Sequence, residues 1–140
     1  MTFTATVVID APVERVFAFH ERDDALDLLL PKFPPSRVVR RVGGLQPGAI
    51  VELQIGPVAW HAVHTAYERN RLFVDEQARG PFRRWVHRHE FEDLGGRTRL
   101  TDRVECEFAG GRLVEWAVRL GLQRMFRERH RVTRKFCAPV

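Results

Sequence analysis

Residues 80–111, GPFRRWVHRHEFEDLGGRTRLTDRVECEFAGG, decide the fold. After Gly80-Pro81, the run Phe82 to Glu92 alternates. Trp85, His87, His89 and Phe91 share one face, and Arg84, Arg88, Glu90 and Glu92 share the other. Such alternation marks a strand with one buried side. Gly95-Gly96 turns the chain, and Arg97 to Phe108 repeats the pattern, with Leu100, Asp102, Val104, Cys106 and Phe108 inward. Arg99, Thr101, Arg103, Glu105 and Glu107 then point outward. Two such strands across a glycine turn form an antiparallel pair. Gly110-Gly111 ends the pattern.

Beyond the glycines, Arg112 to Phe136 follows helical spacing. Val118, Leu122, Met125, Arg129, Val132 and Phe136 recur at three and four, with Phe126, His130 and Thr133 on the adjoining stripe. Gly121 within it marks a kink or a close approach to the sheet. On the N-terminal side, Arg37–Val42, Ile50–Ile55, Val58–Glu68 and Leu72–Ala78 read as further strands separated by short turns. Thr2 to Asp10 is a strand as well, with Phe3, Ala5, Val7 and Ile9 alternating against threonines. Pro12 to His20, with Asp10 as its N-cap, and Asp23 to Leu30 are short amphipathic helices. Pro31, Pro34 and Pro35 end the second one.

The predicted order is strand, two short helices, six strands, long helix: an α+β fold in one domain over residues 1–140. A curved antiparallel sheet of about seven strands must cover its apolar face, and the C-terminal helix is the large partner available. One helix is only about 10 Å wide, so a cavity is expected beside it, of the kind small ligands occupy.

Composition agrees with a globular chain: 140 residues, 44% hydrophobic and 29% charged. The excess of 23 Lys+Arg over 18 Asp+Glu is almost all arginine. Its densest cluster, Arg124, Arg127, Arg129, Arg131, Arg134 and Lys135, is spread around a helix with Glu128 among it. We read it as a solvated helix face and expect no nucleic acid partner. No apolar run approaches the roughly 20 residues of a transmembrane span. No export signal is evident either, so a cytoplasmic location is expected. Cys106 and Cys137 are too few for a disulfide scaffold.

Several phrases resemble the START-like (SRPBCC) superfamily and its polyketide cyclase/dehydrase-like branch. They are Ala11-Pro12-Val13-Glu14-Arg15-Val16-Phe17-Ala18-Phe19-His20, the leucine-rich Asp24 to Pro31, Trp60, Gly80-Pro81-Phe82, Trp85, His87, His89, Phe91, Arg129-His130 and Thr133. The resemblance covers nearly the whole chain. It implies a helix-grip fold, in which a curved sheet grips the long C-terminal helix around a hydrophobic cavity. It implies no shared catalytic motif, so the catalytic residues stay unknown.

The residues expected to line the cavity and bind the ligand are Trp60, His64, Phe73, Asp75, Gln77, Trp85, His87, His89, Asp102, Val104, Met125 and Arg129. His64 is the least secure, because Val63 and Tyr67 compete with it for the inward face. His87 and Asp102 stand on neighbouring strands and suit an imidazole–carboxylate pair, since buried ionisable groups need partners. The polar patch they belong to reads first as self-satisfied and fixing sheet register, next as a ligand anchor, and last as a general acid/base. His87-Arg88-His89 puts two imidazoles on one side of a strand, with His64, Asp75 or Asp102 available as a third ligand. The resemblance implies no metal, and neither metal nor cofactor is expected.

Function is therefore expected to be binding or carriage of a hydrophobic small molecule, lipidic or aromatic and polyketide-like, by a monomer or homodimer. Two alternatives stand beside it. One is a cyclase/dehydrase-type enzyme using the His/Asp cluster. The other is a partner-binding regulatory module without turnover.

Overall fold

The structure is a computed structural model and describes residues 1–139. Its elements run β1 (Thr2–Ile9), α1 (Val13–Glu21), α2 (Ala25–Leu29), β2 (Ser36–Val42), β3 (Ile50–Ile55), β4 (Val58–Glu68), β5 (Leu72–Arg79), β6 (Arg84–Asp93), β7 (Thr98–Glu107) and α3 (Gly111–Cys137). The seven strands form one antiparallel sheet in the order β1-β7-β6-β5-β4-β3-β2. The meander from β2 to β7 is thus sequential, and β1 joins it at the far edge by pairing with β7. Together with α3 and the two short helices after β1, this is the expected helix-grip α+β fold.

Local deviations have physical causes. Asp10 does not cap α1. Pro12 occupies that position, and its carbonyl accepts the first helical bonds from Arg15 and Val16. The second helix is shorter than its leucine pattern, a single turn or so with only Ala25 fully buried. In α3 the buried line is Leu122, Phe126, His130, Thr133 and Cys137, the stripe adjoining the apolar one. Phe136 is 43% exposed instead. Gly121 makes no close approach to the sheet, since a Cβ built there would meet nothing within 4 Å.

The core has two main parts. Ile9, Val16, Phe17, Phe73, Phe91, Leu100 and Cys137 pack beneath α1. Phe3, Trp85, Val104, Cys106, Leu122 and Phe126 pack between β1, β6, β7 and α3. A smaller cluster of Leu30, Val51 and Leu53 lies at the other side, and Trp60 touches both it and the second. Among the described residues, no helix is long and apolar enough to cross a membrane.

Candidate functional site

Between these clusters lies a cavity of about 350 Å³, walled by the sheet, α2 and α3. Leu53, Trp60, Phe82, Trp85, Leu122 and Met125 make most of it apolar, and a polar patch on β4, β5 and β6 interrupts them. Nine of the expected wall residues are there: Trp60, His64, Phe73, Asp75, Trp85, His87, His89, Met125 and Arg129. Gln77, Val104 and Asp102 are not. Gln77 is turned aside by a reciprocal pair of hydrogen bonds with the Phe82 backbone. Val104 is wholly enclosed by the Phe3, Trp85 and Phe126 cluster. Asp102 stands behind the histidines, one layer deeper.

The register of the strands assembles the polar patch. His64 faces Asp75, Asp75 faces His87, and His89 faces Asp102 across adjacent strands. The competition between His64 and Tyr67 is resolved by a bulge. His64 pairs with Asp75 and Ala66 with Val74, so Thr65 is the extra residue. That insertion shifts the alternation, and His64 and Tyr67 both turn inward, Tyr67 against Phe17.

Asp102 holds three imidazoles. Its Oδ1 accepts from His87 Nε2 at 2.8 Å and lies 3.2 Å from His89 Nδ1. Its Oδ2 accepts from His130 Nε2 at 2.6 Å, which ties α3 to β7. An ionised carboxylate only accepts, so each of those ring nitrogens carries hydrogen. His89 also donates from Nε2 to Asp75 Oδ2 at 2.9 Å. With a carboxylate at each nitrogen, His89 is held towards its protonated form. Burial opposes that charge, but the bonds to Asp102 and Asp75 outweigh it and raise its pKa.

The two carboxylates respond in kind. Burial would push them up, yet His89 and His87 bring Asp75 down to about 2, and His130, His87 and His89 hold Asp102 well below the usual carboxylate range. His87 behaves oppositely: burial first, then the charge on His89, lowers its pKa despite the bond to Asp102. It is therefore neutral near pH 7. Its Nδ1 keeps a lone pair, 3.9 Å from Asp75 Oδ2.

Among the described residues, two buried side-chain atoms have no hydrogen-bond partner, His64 Nδ1 and Arg129 Nε. Both residues border the cavity. Burial lowers the pKa of His64, and Arg129 keeps its charge with its guanidinium 5.7 Å from the centre of the Phe126 ring. Arg22 and Arg41 also border the cavity but are engaged, Arg22 with Asp24 and Arg41 with the carbonyls of Arg22 and Asp23. Among the described residues, Asp75, His87 and His89 form a group of side chains close enough to hold a metal ion.

His130 and His20 were not among the expected site residues. His130 carries a usable signal, since it sits four residues after Phe126 and seven before Cys137 on the buried line of α3. His20 shares the buried face of α1 with Val13, Val16 and Phe17 and borders the cavity.

A family model described as polyketide cyclase/dehydrase and lipid transport matches residues 9–131. No curated protein matches the sequence. Among solved structures, a START superfamily protein from Mycobacterium smegmatis is 14% identical, with 96% of this chain and 94% of that one covered at a TM-score of 0.71. A nucleoside-diphosphate sugar epimerase from Corynebacterium glutamicum is 24% identical at a TM-score of 0.79, covering 95% of this chain but 28% of that one. DynU16, from the dynemicin biosynthetic locus, is 14% identical at a TM-score of 0.68, covering 93% of this chain and 46% of that one. At these identities the solved structures speak for the fold alone.

Proposed function

Because the chain belongs to the polyketide cyclase/dehydrase and lipid transport family, we propose that it binds one hydrophobic small molecule, lipidic or aromatic and polyketide-like, in the cavity under α3. The observation that carries this reading is a cavity wall that is apolar but for one polar patch, with two unpartnered buried polar atoms, on His64 and Arg129, just behind its surface. Buried donors and acceptors are nearly always satisfied, and leaving one unmet costs about 1–3 kcal/mol. Arg129 Nε can only donate, so it asks for a carbonyl or carboxylate oxygen. His64 Nδ1 asks for one more polar partner. An apolar ligand carrying one or two oxygens at one end meets both demands once these two side chains turn towards it, while its body lies against Trp60, Phe82 and Trp85.

Native mass spectrometry of the purified protein, before and after denaturation, tests this. A mass retained only in the folded state is expected, together with thermal stabilisation by emodin or palmitate. An empty protein that neither probe stabilises would count against binding in this cavity.

The enzyme reading is favoured by one observation, the free lone pair of His87 Nδ1 beside a desolvated cavity. A neutral imidazole whose other nitrogen is held by a carboxylate is the arrangement of a general base. It would take a proton next to a carbonyl oriented by Arg129. Turnover of a bound polyketide that is lost in His87→Gln, with binding retained, separates enzyme from carrier.

A further inference from the structure

We propose that Asp75, His87 and His89 form a binding site for a divalent first-row transition metal on the cavity wall, with Asp102 behind them as the group that orients both imidazoles. One donor atom from each of the three residues lies within 4.8 Å of the others. Two of these residues are cross-strand partners, and the third follows two positions along β6 on the same face. The sheet itself therefore sets their convergence.

The ring orientations carry the argument. Asp102 Oδ1 takes His87 through Nε2, at 2.8 Å, and lies 3.2 Å from His89 Nδ1. The nitrogens left over, His87 Nδ1 and His89 Nε2, both turn to Asp75 Oδ2, at 3.9 and 2.9 Å. A metal-bound histidine usually donates its other N–H to a carboxylate or carbonyl, which fixes the tautomer and aims the free lone pair. Here one buried carboxylate does this for two rings, and His130 pins that carboxylate from α3 at 2.6 Å. A self-contained ion pair would need only one histidine per carboxylate.

The exchange balances simply. Without metal, one proton links His89 Nε2 to Asp75 Oδ2; the ion takes its place, and that proton leaves to solvent. Asp75 and Asp102 together offset the double positive charge, which Arg129 opposes. Two imidazoles and one carboxylate leave coordination positions free on the cavity side, the composition of open zinc and non-haem iron sites. His64, Asp75's partner on β4, is buried with Nδ1 unpartnered and is the fourth ligand that the register offers.

The test uses metal-stripped, full-length protein titrated with ZnCl2 and CoCl2 by calorimetry, with visible absorption of the cobalt form. One ion per chain is expected, with a cobalt spectrum of low-coordinate nitrogen and oxygen ligation and without sulfur charge transfer from Cys106 or Cys137. His87→Ala and His89→Ala should abolish binding, and Asp75→Asn should weaken it at least tenfold. Asp102→Asn keeps all three ligands and should still weaken it about 10–100-fold. His61→Ala, outside the cluster, should leave it unchanged. Asp75→Asn is nearly isosteric, so it carries the test if the histidine variants fail to fold. No binding, or binding unchanged in Asp75→Asn, overturns the proposal. Since the titration contains no hydrophobic ligand, its outcome is independent of the ligand-binding reading.

Discussion

Histidines and aspartates meet in this molecule under unequal conditions, and position alone separates their states. His89 has a carboxylate at each nitrogen, which raises its pKa, whereas His87, next to it on the same face, is lowered by burial first and then by His89. His20 is the extreme case. Its ring packs against Phe19, Phe73 and Phe91, and Nδ1 donates to the Val16 carbonyl at 2.8 Å. Burial brings its pKa from 6.5 to about 4, against the Val16 bond and with help from the charge on His89. The sign follows directly: between these values the unfolded chain takes up a proton that the fold refuses, so stability falls as the pH drops from 6.5 towards 4. One pKa unit is worth about 1.4 kcal/mol, so the loss at pH 4.5 is about 2–3 kcal/mol. Urea unfolding of wild type and His20→Leu at pH 7 and 4.5 measures it; the wild type should lose that much more than the variant. Equal losses would contradict it. At this scale His87, His89 and Asp75 are legible in the sequence because strict alternation sorts a strand's residues by face. The depth of Asp102 is not, since alternation tells inward from outward but not wall from second layer.

Elements fail to follow their patterns where neighbours, rather than propensity, decide. In α3 the most apolar stripe borders the cavity with Val118, Met125 and Arg129, and the next one is buried because His130 and Thr133 have partners in Asp102 and the Arg129 carbonyl. A hydrophobic pattern cannot anticipate that a histidine will be satisfied across the sheet. The bulge at Thr65 is equally silent in the sequence, because an extra residue changes parity without changing composition. The glycines of α3 yield a contrast that can be measured. Gly110 enters the helix at φ 124°, where a Cβ would collide with the Val114 side chain. Gly110→Ala should therefore cost about 1–3 kcal/mol. Gly121 lies mid-helix, with open space where its Cβ would stand, so Gly121→Ala should gain about 0.5–1 kcal/mol from helix propensity alone. Denaturant midpoints of the two variants should move in opposite directions. A loss at Gly121 would mean that the helix needs its flexibility there.

For the whole molecule, the cavity is the place where folding and function pull apart. A chain of this size ordinarily fills its interior at crystal-like density, yet here about 350 Å³ separates the Phe126 cluster from Leu53 and Val51. Curvature accounts for the space: a sheet of seven strands offers more concave surface than one helix can cover. A ligand that fills it restores lost contacts, so binding and stability should be linked. At a hundredfold excess over Kd the gain is about 2.7 kcal/mol, which for a domain of this length amounts to several degrees in Tm. Ala62 is buried on β4 and faces the same space. Ala62→Phe should occupy part of the cavity from within, keeping or raising the Tm of the free protein while cutting the shift produced by emodin severalfold. The two effects must appear together, because one ring cannot both fill the space and leave room for another. A variant that folds normally and still shows the full emodin shift would place the ligand elsewhere.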